Sequence, residues 1–277
     1  MEWTIKSTSN KLPLFSRRDY MKSKHSKKSN KPLKAMLFLL IIVFIVSIIF
    51  LIWYMNQRNK SKTDNTSILD SVEVDETQIT ETRTKRMLQL EELQKQNDEI
   101  IGWLEIADTN INYPVVQGKD NDFYLRHNYK KEYSISGSLF LDKAFDTTNK
   151  SSNYLIYGHR DTQGLMFEDL MKYANKEFYE THKKIRFTTN EEDCEYEVLA
   201  VFYSRVYYKS EKNVFRYYFF VNANNEAEYD DFVNNAKKAS IYDTGVTAKY
   251  GDQLMTLSTC EYSQEDGRFA VVLKKCP

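Results

Sequence analysis

The 277-residue sequence predicts a mainly β domain, a sandwich or barrel with helices added, behind a single membrane-spanning helix. Three observations carry this. Short runs rich in Tyr, Phe and Val recur at even spacing from Trp103 to Lys275, separated by turns. Two longer patterns with helical spacing interrupt them. An uncharged, largely apolar run of 21 residues, Ala35 to Met55, precedes everything else that folds.

At ~1.5 Å rise per residue that run is about 31 Å long, which matches a hydrocarbon core of roughly 30 Å. A helix apolar on every side is a poor fit to a soluble surface or a half-buried core element. A cleaved signal peptide has a shorter apolar region, about 7–15 residues, and ends in small residues. Here the run ends in Trp53-Tyr54-Met55, the aromatic composition of a membrane interface. The reading is a retained signal anchor. Residues 1–34 carry ten Lys/Arg and two Asp/Glu, a net +8, so the neutral chain carries −8 over the remainder. The basic excess places residues 1–34 in the cytoplasm, 35–55 across the cell membrane in a single pass, and the rest outside. Beside a spanning helix, topology and anionic lipid explain the basic segment. No basic and aromatic interleaving elsewhere points to nucleic acid.

Residues 56–80 are polar and read as an extracellular linker. From about Glu81 to the chain end a folded domain is expected, large enough for one core. Met87, Leu88, Leu90, Leu93, Ile100 and Ile101 predict a helix stopped by Gly102. Strands are predicted at 103–106, 111–116, 138–141, 154–157, 185–188, 196–203, 253–259 and 268–274. Helices are predicted near 167–181 and 225–239, the second with Tyr229, Phe232, Val233 and Ala236 on one face.

The last two strands flank a hairpin loop, 261–267. Met255 and Leu257 alternate with Thr256 and Ser258, and Phe269, Val271 and Leu273 form the apolar set of the next strand. Parity then puts Cys260, Ser258 and Arg268 together on the face opposite the core. Cross-strand neighbours stand roughly 5 Å apart at Cβ. A thiolate attacks a carbonyl and divides acyl transfer into two easier steps. Arg268 keeps its charge and offers a fixed fork of donors to an oxyanion. His159, in Tyr157-Gly158-His159, titrates near neutrality and suits proton transfer. Singly, each has a plain structural role: packing for Cys260, a surface hydrogen bond for His159, an exposed hairpin charge for Arg268.

In these stretches the sequence resembles the sortases, membrane-anchored transpeptidases of Gram-positive bacteria. The motif Thr256-Leu257-Ser258-Thr259-Cys260, the Arg268 that opens the next strand and the upstream His159 match in type and order. Gly102-Trp103-Leu104, Tyr113-Pro114-Val115-Val116-Gln117, Asp120-Asn121, Tyr124-Leu125, 137–142 and Gly164-Leu165-Met166-Phe167 resemble class B. The similarity spans roughly 81–275. It implies an eight-stranded sortase-type β-barrel with an N-terminal helix and a long helix before the Cys strand. It implies cleavage of a C-terminal sorting motif after its Thr, a thioacyl-enzyme on Cys260, and transfer to an amine of a cell-wall peptide or its lipid-linked precursor. The partners would be sorting-motif-bearing surface proteins and that amine. Catalytic roles fall on His159, Cys260 and Arg268; substrate-groove roles fall on Ser258, Glu261, Asn121 and Leu125. Ordinary roles compete for the last two: Asn121 as a helix cap, Leu125 as core.

Asp142, Asp146 and Asp161 read as loop caps, with Asp161 also within reach of the His159 ring. No metal or cofactor is expected, because no Ca²⁺-loop or zinc spacing is present. Of Cys194, Cys260 and Cys276, only a pairing of Cys194 with Cys276 spares Cys260. A different cysteine hydrolase is the rival enzyme. Papain-like order is disfavoured, since the Cys here ends a strand and follows its His. A non-catalytic binding module on a stalk is the third reading.

Overall fold

The structure, a computed structural model, describes residues 31–66, 68, 72–80, 82–161, 163–260 and 262–277. Most of the basic segment 1–34 therefore lies outside the described residues. The chain falls into two compact units divided after Ile52.

Most of the apolar part of α1, Lys31–Thr66, lies in the first unit. Within α1 the stretch Leu33–Asn65 is long and apolar enough to cross a membrane, and its apolar side chains are exposed all round. The helix runs past the apolar stretch to Thr66, so the segment expected as a linker begins as helix. It is also packed. Ser61 and Asn65 are buried, and Ile68 and Val72 join the hydrophobic core. Ser61 Oγ lies 3.0 Å from Ser134 Oγ, and Lys60 pairs with Glu132 at 3.1 Å. Polar composition hid this, because the contacts made by the helical part are themselves polar and Ile68 and Val72 are among the few apolar residues of a polar stretch.

The second unit is built on a closed eight-stranded barrel. Its strands are β1 (Ile100–Glu105), β2 (Asn112–Val116), β3 (Leu139–Leu141), β4 (Asn153–Tyr157), β7 (Lys184–Thr188), β8 (Asp193–Arg205), β9 (Leu254–Cys260) and β10 (Gly267–Lys275). The order around the barrel is β1-β2-β3-β4-β9-β10-β8-β7. Pairs β2·β3 and β4·β9 are parallel and the others antiparallel. All eight predicted strands are present. Between β4 and β7 a two-stranded ribbon, β5 (Arg160–Asp161) and β6 (Leu165–Met166), turns at Gly164, whose φ of 78° suits glycine.

The helix predicted to run to Gly102 is shorter. Thr84 caps α2, Lys85–Gln94, by accepting the Met87 N–H, and the helix ends at Lys95. Ile100 and Ile101 are strand residues, continuing the apolar pattern at a different period. Gly102 sits inside β1, where a Cβ would stand 2.5 Å from the Phe187 ring. It permits close packing of β1 on β7 rather than stopping a helix.

The predicted helix at 167–181 is two pieces. A 3₁₀ turn, Asp169–Ala174, gives way at Asn175 to α3, Lys176–Thr181, which Asn175 caps through the Glu177 N–H. Helix α4, Glu226–Ala239, is capped by Asn225. It buries Tyr229, Phe232, Val233 and Ala236 and packs on β8.

Candidate active site

Two chain segments converge because β4 and β9 run parallel, with Tyr157 beside Ser258. Their C-terminal ends therefore open at the same end of the barrel. Past Tyr157 the ladder continues for one bond, from Gly158 N–H to the Ser258 carbonyl at 3.2 Å. His159 follows β4 and Cys260 ends β9, so both stand at this rim. Gly158 is required by space. A Cβ there would stand 2.5 Å from Leu139 Cδ2 and 2.6 Å from Phe167 Cδ2.

Strand β10 brings the third group. Arg268 is the direct register partner of Cys260, as parity predicts. Its Nη1 donates to the Gly267 carbonyl at 2.9 Å and the Asp266 carbonyl at 3.3 Å. The hairpin's own backbone thus holds the guanidinium beside the end of β9. Cys260, His159 and Arg268 are all half-buried. They line one cleft of about 240 Å³ together with Asn121, Leu125, Phe140, Tyr157, Gly158, Ser258 and Thr259.

His159 Nε2 donates to the Leu125 carbonyl at 2.9 Å. A carbonyl only accepts, so this contact puts a proton on Nε2 and leaves Nδ1 as the basic nitrogen of the neutral ring. Burial holds the imidazole's pKa below its ordinary value. The Leu125 contact opposes that shift, Arg126 adds to it and Asp161 opposes it. Asp161 itself accepts the Gln163 N–H at 2.8 Å and the Ser136 hydroxyl. It is a turn residue whose influence on His159 is through charge.

The face expected to lie opposite the core is not a surface. Thr256 and Ser258 are buried as fully as Met255 and Leu257. The chain between β8 and α4 covers them. Ser258 Oγ lies 2.7 Å from the buried Tyr217 hydroxyl. Thr256 Oγ1 donates to Asn153 Oδ1, and Asn153 in turn donates to the Phe220 carbonyl. Strand parity gives the face a side chain takes; it does not reveal what a distant segment lays over that face.

Asn121 lines the cleft but does not cap the 3₁₀ turn Phe123–Leu125. Asp120 accepts the Asp122 and Phe123 N–H groups instead. Asn121 donates to Asp142 Oδ2 at 2.9 Å and accepts the Lys143 N–H at 2.9 Å. Asp142 also caps Ala144 and accepts the Tyr157 hydroxyl at 3.1 Å. Burial and this carboxylate push the Tyr157 phenol well up. Leu125 packs on the core and offers its carbonyl to His159. Glu261 lies outside the described residues. Asp146 accepts the Thr148 and Asn149 N–H groups, a loop cap as expected from its sequence.

Sequence reasoning gave no site role to Phe140, Tyr157, Thr259 or Tyr217. Tyr157 carried a signal, since it immediately precedes Gly158-His159. Phe140 and Tyr217 reach the site only through barrel closure and the covering chain. All three thiols are free. Cys194 is a packed strand residue whose thiol burial pushes up to about 11, and burial also raises Cys276.

A family profile described as the sortase domain matches residues 104–275. The chain is 37% identical over 187 residues to sortase B of Listeria monocytogenes, covering 66% of this chain and 72% of that protein. Among solved structures, the Staphylococcus aureus sortase B–substrate complex superposes with a TM-score of 0.65 at 28% identity, over 80% of this chain and 97% of that one. A crystal structure of sortase B complexed with triglycine gives 0.66 at 29% identity, over 80% and 98%.

Proposed function

The chain belongs to the sortase B family of cysteine transpeptidases, and from that premise we propose that Cys260 is its nucleophile, with His159 and Arg268 as partners. The observation that carries this is the register pair Cys260·Arg268 in one cleft with His159. In the first half-reaction Cys260 Sγ attacks the scissile carbonyl of a sorting-motif peptide, and Nδ1 of His159 takes the thiol proton. Arg268 stabilises the oxyanion. The carbon–nitrogen bond breaks, the proton passes from His159 to the leaving amine, and a thioester to Cys260 remains. In the second half-reaction an acceptor amine attacks the thioester. It returns one proton through His159 to the sulfur and leaves as the amide product.

The acceptor we propose is an amine of a cell-wall peptide, free or on its lipid-linked precursor. The sortase B complex with triglycine supports a peptide amine as the acceptor class. The sortase B–substrate complex supports a peptide groove, with Ser258, Asn121, Leu125 and Glu261 contributing to it here. Because Tyr217 engages the Ser258 hydroxyl and Asp142 engages the Asn121 amide, both serve the groove as held shapes. The apolar stretch of α1 anchors the chain in the cell membrane, with the N-terminus cytoplasmic and the catalytic domain outside. Residues 81–277 form the catalytic domain of this arrangement.

The test is product analysis with a sorting-motif peptide library, with and without triglycine. Transfer predicts a new amide product that rises with triglycine at the expense of the hydrolysed acid. A product mixture indifferent to triglycine, or turnover retained in Cys260→Ala, contradicts the reading.

A further inference from the structure

The connection from β2 to β3 runs through 117–138 and does two things at once. At Leu125 its carbonyl holds His159 Nε2. At 132–134 it meets the second half of α1. Glu132 pairs with Lys60, Ser134 meets Ser61 in a buried contact, and the Tyr133 ring stacks on Trp53 with centroids 6.3 Å apart. Trp53 opens the aromatic end of the apolar run, Trp53-Tyr54-Met55, so its ring marks the depth at which that run is ending. Tyr and Trp favour that depth because one side of the ring is apolar and the other wet. Lys60 lies seven residues on, about 10 Å further along the helix at ~1.5 Å per residue. The headgroup layer is roughly 5–8 Å thick on each side of the hydrocarbon. The chain around Tyr133 therefore spans that layer.

Tyr133 is 48% exposed despite its stack, and Lys130 beside it is exposed with its ammonium over the Tyr129 ring at 5.4 Å. A half-covered aromatic with a neighbouring cation fits an anionic phospholipid surface. We propose that the tip 130–133 docks on the anionic phospholipid headgroups of the membrane that holds α1, with Tyr133 as the interfacial ring and Lys130 facing lipid phosphate. This rests on the reading of α1 as a membrane anchor. The same connection carries Leu125, so lipid contact braces the segment that orients the His159 ring.

The experiment is nitroxide depth measurement on the full chain in vesicles of phosphatidylcholine and phosphatidylglycerol. The background is Cys194→Ser, Cys260→Ala and Cys276→Ser, with one label at Lys130→Cys, Phe44→Cys or Lys238→Cys. The expected result is hydrocarbon depth at 44, aqueous exposure at 238 and headgroup depth at 130. Adding Tyr133→Asp is expected to shift 130 toward water. A label at 130 as open to an aqueous relaxer as that at 238, with 44 still buried, overturns the docking and spares the anchor. Aqueous exposure at 44 overturns the anchor and the docking with it. Dipolar broadening between labels at 130 assigns the face to a second copy of the chain and also overturns the proposal.

Discussion

One hydrogen bond, from His159 Nε2 to the Leu125 carbonyl, fixes the tautomer of the neutral ring and leaves Nδ1 as its basic nitrogen. Burial then favours the neutral ring. The folded protein therefore binds fewer protons at His159 than the unfolded chain does, in the interval below the ordinary value of 6.5. The stabilisation from keeping this ring neutral is whole above that value and is lost as pH falls through the interval. An NMR titration of His159 is expected to give a pKa below 6.5; a value at or above it contradicts the burial argument. Arg268 acts at the same scale. Arg268→Ala is expected to lower kcat/KM by about 10²–10³, the usual cost of one oxyanion donor, with an unchanged circular dichroism spectrum. A loss under tenfold would remove Arg268 from the reaction. That Cys260, His159 and Arg268 meet in one cleft was legible in the sequence, because their types, order and hairpin spacing all agree. Leu125 as the group that orients His159 was not, because a backbone carbonyl leaves no mark in a residue pattern.

At the scale of elements, the site exists because parallel β4 and β9 end together and antiparallel β10 returns beside them. Gly158 lets that rim close on Leu139 and Phe167. Gly158→Ala is expected to destabilise the fold by about 1–3 kcal/mol through overpacking. Activity should fall further than stability explains, because His159 is the next residue. Chemical denaturation beside kcat/KM at a temperature where the variant stays folded checks this, and wild-type activity would argue against a tightly set rim. The eight strands could be read from alternation and turn spacing. Helix ends could not. The apolar residues of α2 continue into β1 without a break, so Ile100 and Ile101 read equally well at either period. The burial of Ser258 and Thr256 depends on Tyr217 and Phe220, which lie far off in sequence.

At the scale of the whole molecule, the polar end of α1 is not a free tail: within the second unit it packs on the connection from β2 to β3. Ser61 and Ser134 are both buried, so removing one hydroxyl leaves the other without its partner. Ser61→Ala is expected to cost about 1–2 kcal/mol and to lower Tm by roughly 2–8 °C. An unchanged melting curve would mean that 56–66 is a loose stalk. Polar composition suggested such a stalk, and composition alone cannot distinguish solvated polar side chains from paired ones.

Intact-mass spectrometry tests most directly whether a thioester forms on Cys260. The enzyme is mixed with a sorting-motif peptide in the absence of any amine acceptor and quenched in acid. The expected result is a mass increase equal to the N-terminal fragment of the peptide, mapped by digestion to the segment holding Cys260 and absent in Cys260→Ala. Peptide cleavage with no adduct at Cys260, or an adduct that persists in Cys260→Ala, would contradict the account.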